Sequence, residues 1–230
     1  MEMKTRDRIR FATATVAPAL ALALLLAAAA PAWARYKAPG WEAGPREGYP
    51  ASLSSEGVTI AVEPLYTDEL AARAFDKKDL VTRGIMPFGV VIFNDNDFPV
   101  EVDGLSIELI HKERGDVHVK TMPPSEVVWR VSRRDKTWRT QRIPRLEPDG
   151  FDKDMLEDFD GKFLMDATAP PHGKAGGFLY LHLPLGEAPS AEEVAAFLSG
   201  ALLYIPKIYR QDDGSRMIYF EVDLAPAVKR

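Results

Sequence analysis

From Phe88 to Phe93 the chain is apolar on both faces of a period-two register: Phe88, Val90 and Ile92 point one way, Val91 and Phe93 the other, and Gly89 leaves a gap. A strand with no polar face belongs in the middle of a sheet or sandwich. The polar run from Asn94 to Asp97, followed by Pro99, stops it, because these residues favour turns and proline cannot donate to a ladder. The chain restarts at Leu105, where Leu105, Ile107 and Leu109 alternate with Ser106 and Glu108 as far as His111. This second run is expected to be a half-exposed partner strand.

The rest of the chain reads as more strands and connections around that centre. Val58, Ile60 and Val62 alternate in a first strand that Pro64 ends. Thr67 is placed to cap a short helix over 68–76, with Asp68 and Glu69 at the positive end of its dipole. Val117 and Val119 mark a short returning strand after a turn at 112–115. Residues 123–171 break the β pattern and are expected to form an inserted, partly helical excursion, with helix over 125–132 and around 152–159. A Pro/Gly turn over 170–177 leads into a strand over 178–183. Ser190 and Glu193 have the spacing of a capping box, opening a helix with Val194, Phe197 and Leu198 on its apolar side and Gly200 at its end. A hairpin of 202–210 and 216–224, turning at Asp213 and Gly214, closes the domain before a tail at 225–230. The expected architecture is mostly β: an Ig-like antiparallel β-sandwich over 57–224, with short connecting helices.

The N-terminus speaks to location. Lys4, Arg6, Arg8 and Arg10 precede an Ala/Leu-rich run from Phe11 to Ala30, and Ala32 and Ala34 supply the small residues of a cleavage site. That order is a secretory signal peptide over 1–34, the alternative being an uncleaved membrane anchor. Its removal takes four basic and two acidic side chains from totals of 29 and 34, leaving net −7 in place of −5. After cleavage no transmembrane helix is expected. Residues 35–56, rich in Pro, Gly and Ser, read as a flexible leader; Tyr36, Trp41 and Tyr49 would anchor it to a partner or lie against the domain's own surface. The chain has no cysteine, which excludes disulfides, thiolate metal sites and a cysteine nucleophile. A bacterial periplasm or extracellular space suits an exported domain that relies on packing alone.

The segment Val90 to Asn94, its continuation through Pro99, Val100 and Leu105 to Leu109, and the entry from Gly176 to Tyr180 resemble the Ig-like sandwiches of exported bacterial proteins of unknown role. They are also similar to the water-stress and late-embryogenesis-abundant type of sandwich. The resemblance implies a fold and a compartment, and brings no shared catalytic residues.

Catalytic signatures are scarce: the sequence contains no nucleophile elbow, phosphate loop, dinucleotide fingerprint or zinc-protease helix. His111 and His118, on consecutive strands, would make a metal pair if they faced each other; flanking a turn on the surface is the simpler reading. Asp95 and Asp97, beside Asn94 and Asn96, would chelate calcium or make an ordinary turn. No catalytic residue, metal site or cofactor is assigned. The best-defined surface feature is basic and aromatic. Arg133, Arg134, Trp138, Arg139 and Arg142 can hold phosphate, carboxylate or polysaccharide groups, or pair with the acidic run that starts at Glu147. Nucleic acid is a poor partner for an acidic, exported chain.

These features point to an exported, non-catalytic sandwich that binds or scaffolds a protein or envelope component. A hydrolase or metal-dependent enzyme with a site assembled from distant residues is the alternative, and a stress-protective sandwich without a discrete ligand is a third. The oligomeric state stays open. Intact mass of the exported protein is expected to place its first residue at Arg35; retention of 1–34 would replace the signal peptide by an anchor.

Overall fold

The computed structural model describes residues 36–113, 117–132, 153–186 and 188–228. Among them, eleven strands form three antiparallel sheets, joined by a few short helices. The fold is mostly β and sandwich-like, as the alternation of apolar residues implies.

The first sheet is built around β3 (Ile85–Asn94), every residue of which is buried. Its neighbours are β2 (Val58–Pro64) and β8 (Gly173–His182), with β1 (Ala51–Ser55) at the edge. Residues opposite each other in the register share a face. Val62 lies opposite Val90 and Phe88 opposite Leu179, lining the side that belongs to the main core. Ala61 lies opposite Val91 and Thr59 opposite Phe93, lining the other side.

That second side has its own cover. Tyr49 packs with Ala61, Val91 and Phe93 in a separate apolar cluster, flanked by Trp41 and Ala43. The Trp41 ring stands 4.7 Å from Phe178. Gly89 and Gly176 give it room: a Cβ on Gly176 would come within 3.3 Å of the indole and 3.0 Å of the Val90 carbonyl. Residues 36–50 are thus a strap laid on the sheet, and 51–55 are a strand, which corrects the expectation of a flexible leader over 35–56. The edge strand escaped the sequence reading because of its five residues only Ala51 is buried. Glu56 and Gly57, both with positive φ, close the two-residue turn to β2, the backbone twist that tight hairpins prefer.

Helices complete the cover. α1 (Asp68–Ala74) is capped by Thr67, whose side chain accepts from the Leu70 amide. α2 (Pro124–Ser132) buries Val127, Val128 and Val131, and α3 (Lys153–Lys162) buries Met155 and Phe159. Phe159 stacks on Phe75 at 4.5 Å, and Phe75 meets Phe178 at 4.9 Å. The described parts of the expected excursion, 123–132 and 153–171, therefore contribute to the core, and residues 133–152 lie outside the described residues. The stretch 153–171 ends with β7 (Asp166–Ala169), which pairs with β4 (Val100–Asp103).

The remaining strands form two sheets with a shared corner. β4 sits between β7 and β10 (Ile208–Arg210). β5 (Glu108–His111) sits between β6 (His118–Lys120) and β9 (Ala201–Ile205), and β11 (Phe220–Asp223) completes that sheet. Neither β4 nor β5 pairs with β3, so the expected partnership of 105–111 with the central strand does not form. The chain passes from β4 to β5 through a 3-10 turn at Gly104–Ser106, and from β9 to β10 through Pro206 and Lys207. The two interruptions match, since β4 pairs with β10 and β5 with β9, and Lys207 reaches Asp103 across the corner at 3.2 Å. Pro206 cannot donate to a ladder, so the expected long strand 202–210 breaks there and changes sheet. The expected tail opens with a single turn, α5 (Ala225–Val228).

A polar knot ties the strap down. Lys162 donates to the carbonyls of Pro39 and Ala74 at 2.8 and 2.7 Å and pairs with Asp158 at 2.6 Å. Tyr36 donates to the same carboxylate at 2.5 Å and accepts from the Asp76 amide. Each ammonium proton has an acceptor, the condition under which a buried charge is tolerated. No described helix is long and apolar enough to cross a membrane.

Removing one partner of a buried pair strands the other, so Lys162→Met is expected to lower stability by about 3 kcal/mol in denaturant unfolding. Burial first, and then the bond to Asp158, push the Tyr36 phenol far above its usual range; burial does the same for Tyr180. A pKa raised on folding gives stability that is complete below the unfolded value, about 10, and is lost as pH climbs beyond it. Above pH 10 the stability of the wild type should therefore fall with rising pH more steeply than that of Tyr36→Phe, measured by denaturant unfolding at each pH.

Candidate functional site

The described residues contain an open pocket of about 390 Å³ between the end of β5 and α4 (Ala191–Ser199), at the low end of the size range of small-molecule sites. It is lined by His111, Glu113, Leu185, Gly186, Pro189, Glu193, Ala196 and Phe197. Two stretches of the chain, 111–113 and 185–197, meet there, which is why no contiguous motif announces it.

His111 is the last residue of β5 and is paired opposite Ala201 of β9. Its side chain is only 6% exposed. The ring lies 4.9 Å from Phe197 and is seated against Gly200, where a Cβ would come within 2.8 Å of both Cε1 and Nε2. Helix and strand are locked at this level by the Lys112 amide, which donates to the Gly200 carbonyl at 2.7 Å. His111 Nδ1 is shielded and has no hydrogen-bond partner. Such an atom costs about 1–3 kcal/mol in desolvation, and native structures rarely retain one without a role.

α4 presents the other wall. Phe197 belongs to its apolar face, and Glu193 belongs to the capping box that the sequence implies: Ser190 Oγ accepts from the Glu193 amide at 3.2 Å, and Glu193 Oε2 accepts from the Ser190 amide at 2.8 Å. The cap fixes the Glu193 carboxylate at the pocket wall and leaves its other oxygen free of that bond. The rim before the helix holds Ala188 at φ 51°, a left-handed conformation that is costly for a residue with a Cβ.

Of the candidates read from the sequence, His111 alone lines this pocket among the described residues. Arg133, Arg134, Trp138, Arg139 and Arg142 lie outside the described residues, as does the expected signal peptide. Arg130, which begins that basic run, is spanned by Glu126 one turn earlier on α2 at 2.8 Å. His111 and His118 do not form a metal pair. They stand on opposite faces of their sheet, His118 meeting Glu108 at 3.0 Å. Asp95 pairs with Arg46 at 2.7 Å and Asp97 with His172 at 2.8 Å. The buried Asn94 donates to the carbonyls of Phe98, Ala169 and Pro170. That run is a turn held by protein partners, and no described group of three or more potential ligands is arranged to hold a metal.

Sequence reasoning identified Phe197 as core and Glu193 as a cap, and both are so. It missed that they share a pocket with His111. The only available signal was the coincidence of a glycine helix end with a histidine strand end, which has no meaning until the β5–β9 register is known. Gly200→Ala is expected to displace the imidazole and cost roughly 1–3 kcal/mol, as overpacking does. The His111 ring resonances should move while those of His118 and His172 stay in place.

No family model and no curated protein matches the chain. Among solved structures it is similar to the yjhA protein from Bacillus subtilis, at 13% identity and a TM-score of 0.35, over 68% of this chain and 79% of that one. A likeness of that size transfers neither fold nor function.

Proposed function

We propose that this protein is an exported, non-catalytic β-sandwich of the periplasm or cell envelope that binds a partner through the pocket between β5 and α4. The observation that carries the reading is the open pocket itself, where the buried His111 and the capped Glu193 meet an apolar wall. A cavity with an apolar wall and a few converging polar groups is where a small ligand is held. Export rests on the basic, then Ala/Leu-rich, N-terminus and on the absence of cysteine. The resemblance to exported Ig-like sandwiches fits the same compartment.

The enzymatic alternative takes its support from the same pocket, which gathers a histidine and two carboxylates from distant parts of the chain. Binding is preferred because the Glu193 carboxylate is held by one oxygen in the helix cap, which suits a fixed acceptor for a ligand better than a group that must move a proton.

Ala196 is an exposed residue of α4 on the pocket wall, so Ala196→Trp fills the mouth without disturbing the core. Envelope extract passed over the wild type should yield a bound component that Ala196→Trp fails to retain, with the two proteins equal in melting temperature within about 1 °C. Equal retention by both would remove the pocket from the function.

A further inference from the structure

We propose that the pocket takes a protonated amine carried on a small apolar or aromatic body. The inference rests on the pocket being a binding site and adds the chemical class of its ligand.

Charge comes first. Of the eight described lining residues, Glu113 and Glu193 are acidic and none is lysine or arginine. Lys112, next in sequence to His111, directs its ammonium to Asp223 at 2.7 Å and so does not neutralise the rim. An anion entering here meets two like charges, whereas a cation meets two acceptors, one of them already held in place by the Ser190 amide. A carboxylate fixed before binding loses little freedom on binding, which favours a point charge with several donors.

Shape and polarity define the rest of the ligand. Leu185, Pro189, Ala196 and Phe197 give the pocket an apolar wall next to its carboxylates. A fully hydrated inorganic cation would leave that wall unused. An ammonium on a hydrocarbon or aromatic body uses both parts at once.

The test compares three probes of nearly one shape, benzylamine, benzyl alcohol and benzoate, titrated into the exported protein while the His111 ring resonances are followed. Benzylamine is expected to bind about tenfold tighter than the alcohol, with benzoate weakest. Glu113→Gln and Glu193→Gln should each weaken benzylamine about threefold and leave the alcohol unchanged, glutamine being able to keep the helix cap. Ala196→Trp should abolish the response. If benzyl alcohol or benzoate moves His111 as readily as the amine does, the pocket stands and the amine inference falls. If no probe moves His111, or benzylamine binding survives Ala196→Trp, the pocket reading falls and takes the inference with it.

Discussion

Burial of β3 on both faces is the constraint on which the rest depends. One layer can cover one face of a sheet, and here the buried residues of the two sheets that meet at the 104–106 and 206–207 corner join Phe88, Val90 and Ile92 in one core. The opposite face carries Ala61, Val91 and Phe93, and would be an exposed apolar patch unless something else were laid on it. The strap 36–50, α1 and α3 supply that cover. Trp41, Phe75 and Phe159 form a nearly continuous aromatic layer over Phe178 and Tyr180.

An aromatic layer made from separate segments is only as good as the geometry that holds the segments together. Lys162 performs that task by reaching the strap at Pro39, the end of α1 at Ala74 and its own helix at Asp158. It also stands 5.0 Å from the Phe75 ring centroid, so the charge that orients the layer is in contact with it. Apolar residues in these positions would pack, but they would not select one docking of three segments. A charge with three fixed acceptors does.

Local signals were legible wherever a residue's role is decided by its neighbours in sequence. The Thr67 cap, the Ser190 and Glu193 box and the two-sided apolar run of β3 all follow from spacing alone. Features decided by distant contacts were not. Gly176 and Gly177 read as a turn, yet they lie inside β8, where they admit the Trp41 ring and the Leu164 backbone. The strand β1 shows polar residues because it is an edge, and Pro206 hides a corner inside an otherwise regular run. The pocket belongs to this second class. His111 and Gly200 are 89 positions apart in the numbering, and only the β5–β9 register brings them together.

The strap has a consequence for the order of assembly. Tyr36 closes on Asp158 across 122 positions, and Trp41 waits for Gly176 and Phe178 at a still greater separation. A chain made from its N-terminus therefore produces its cover long before the surface to be covered exists. Contacts of that span close last and slow the reaction that depends on them. Until α3 and β8 have followed, the outward side of β3 faces solvent, and the growing chain is held short of its native state by the same residues that finally seal it.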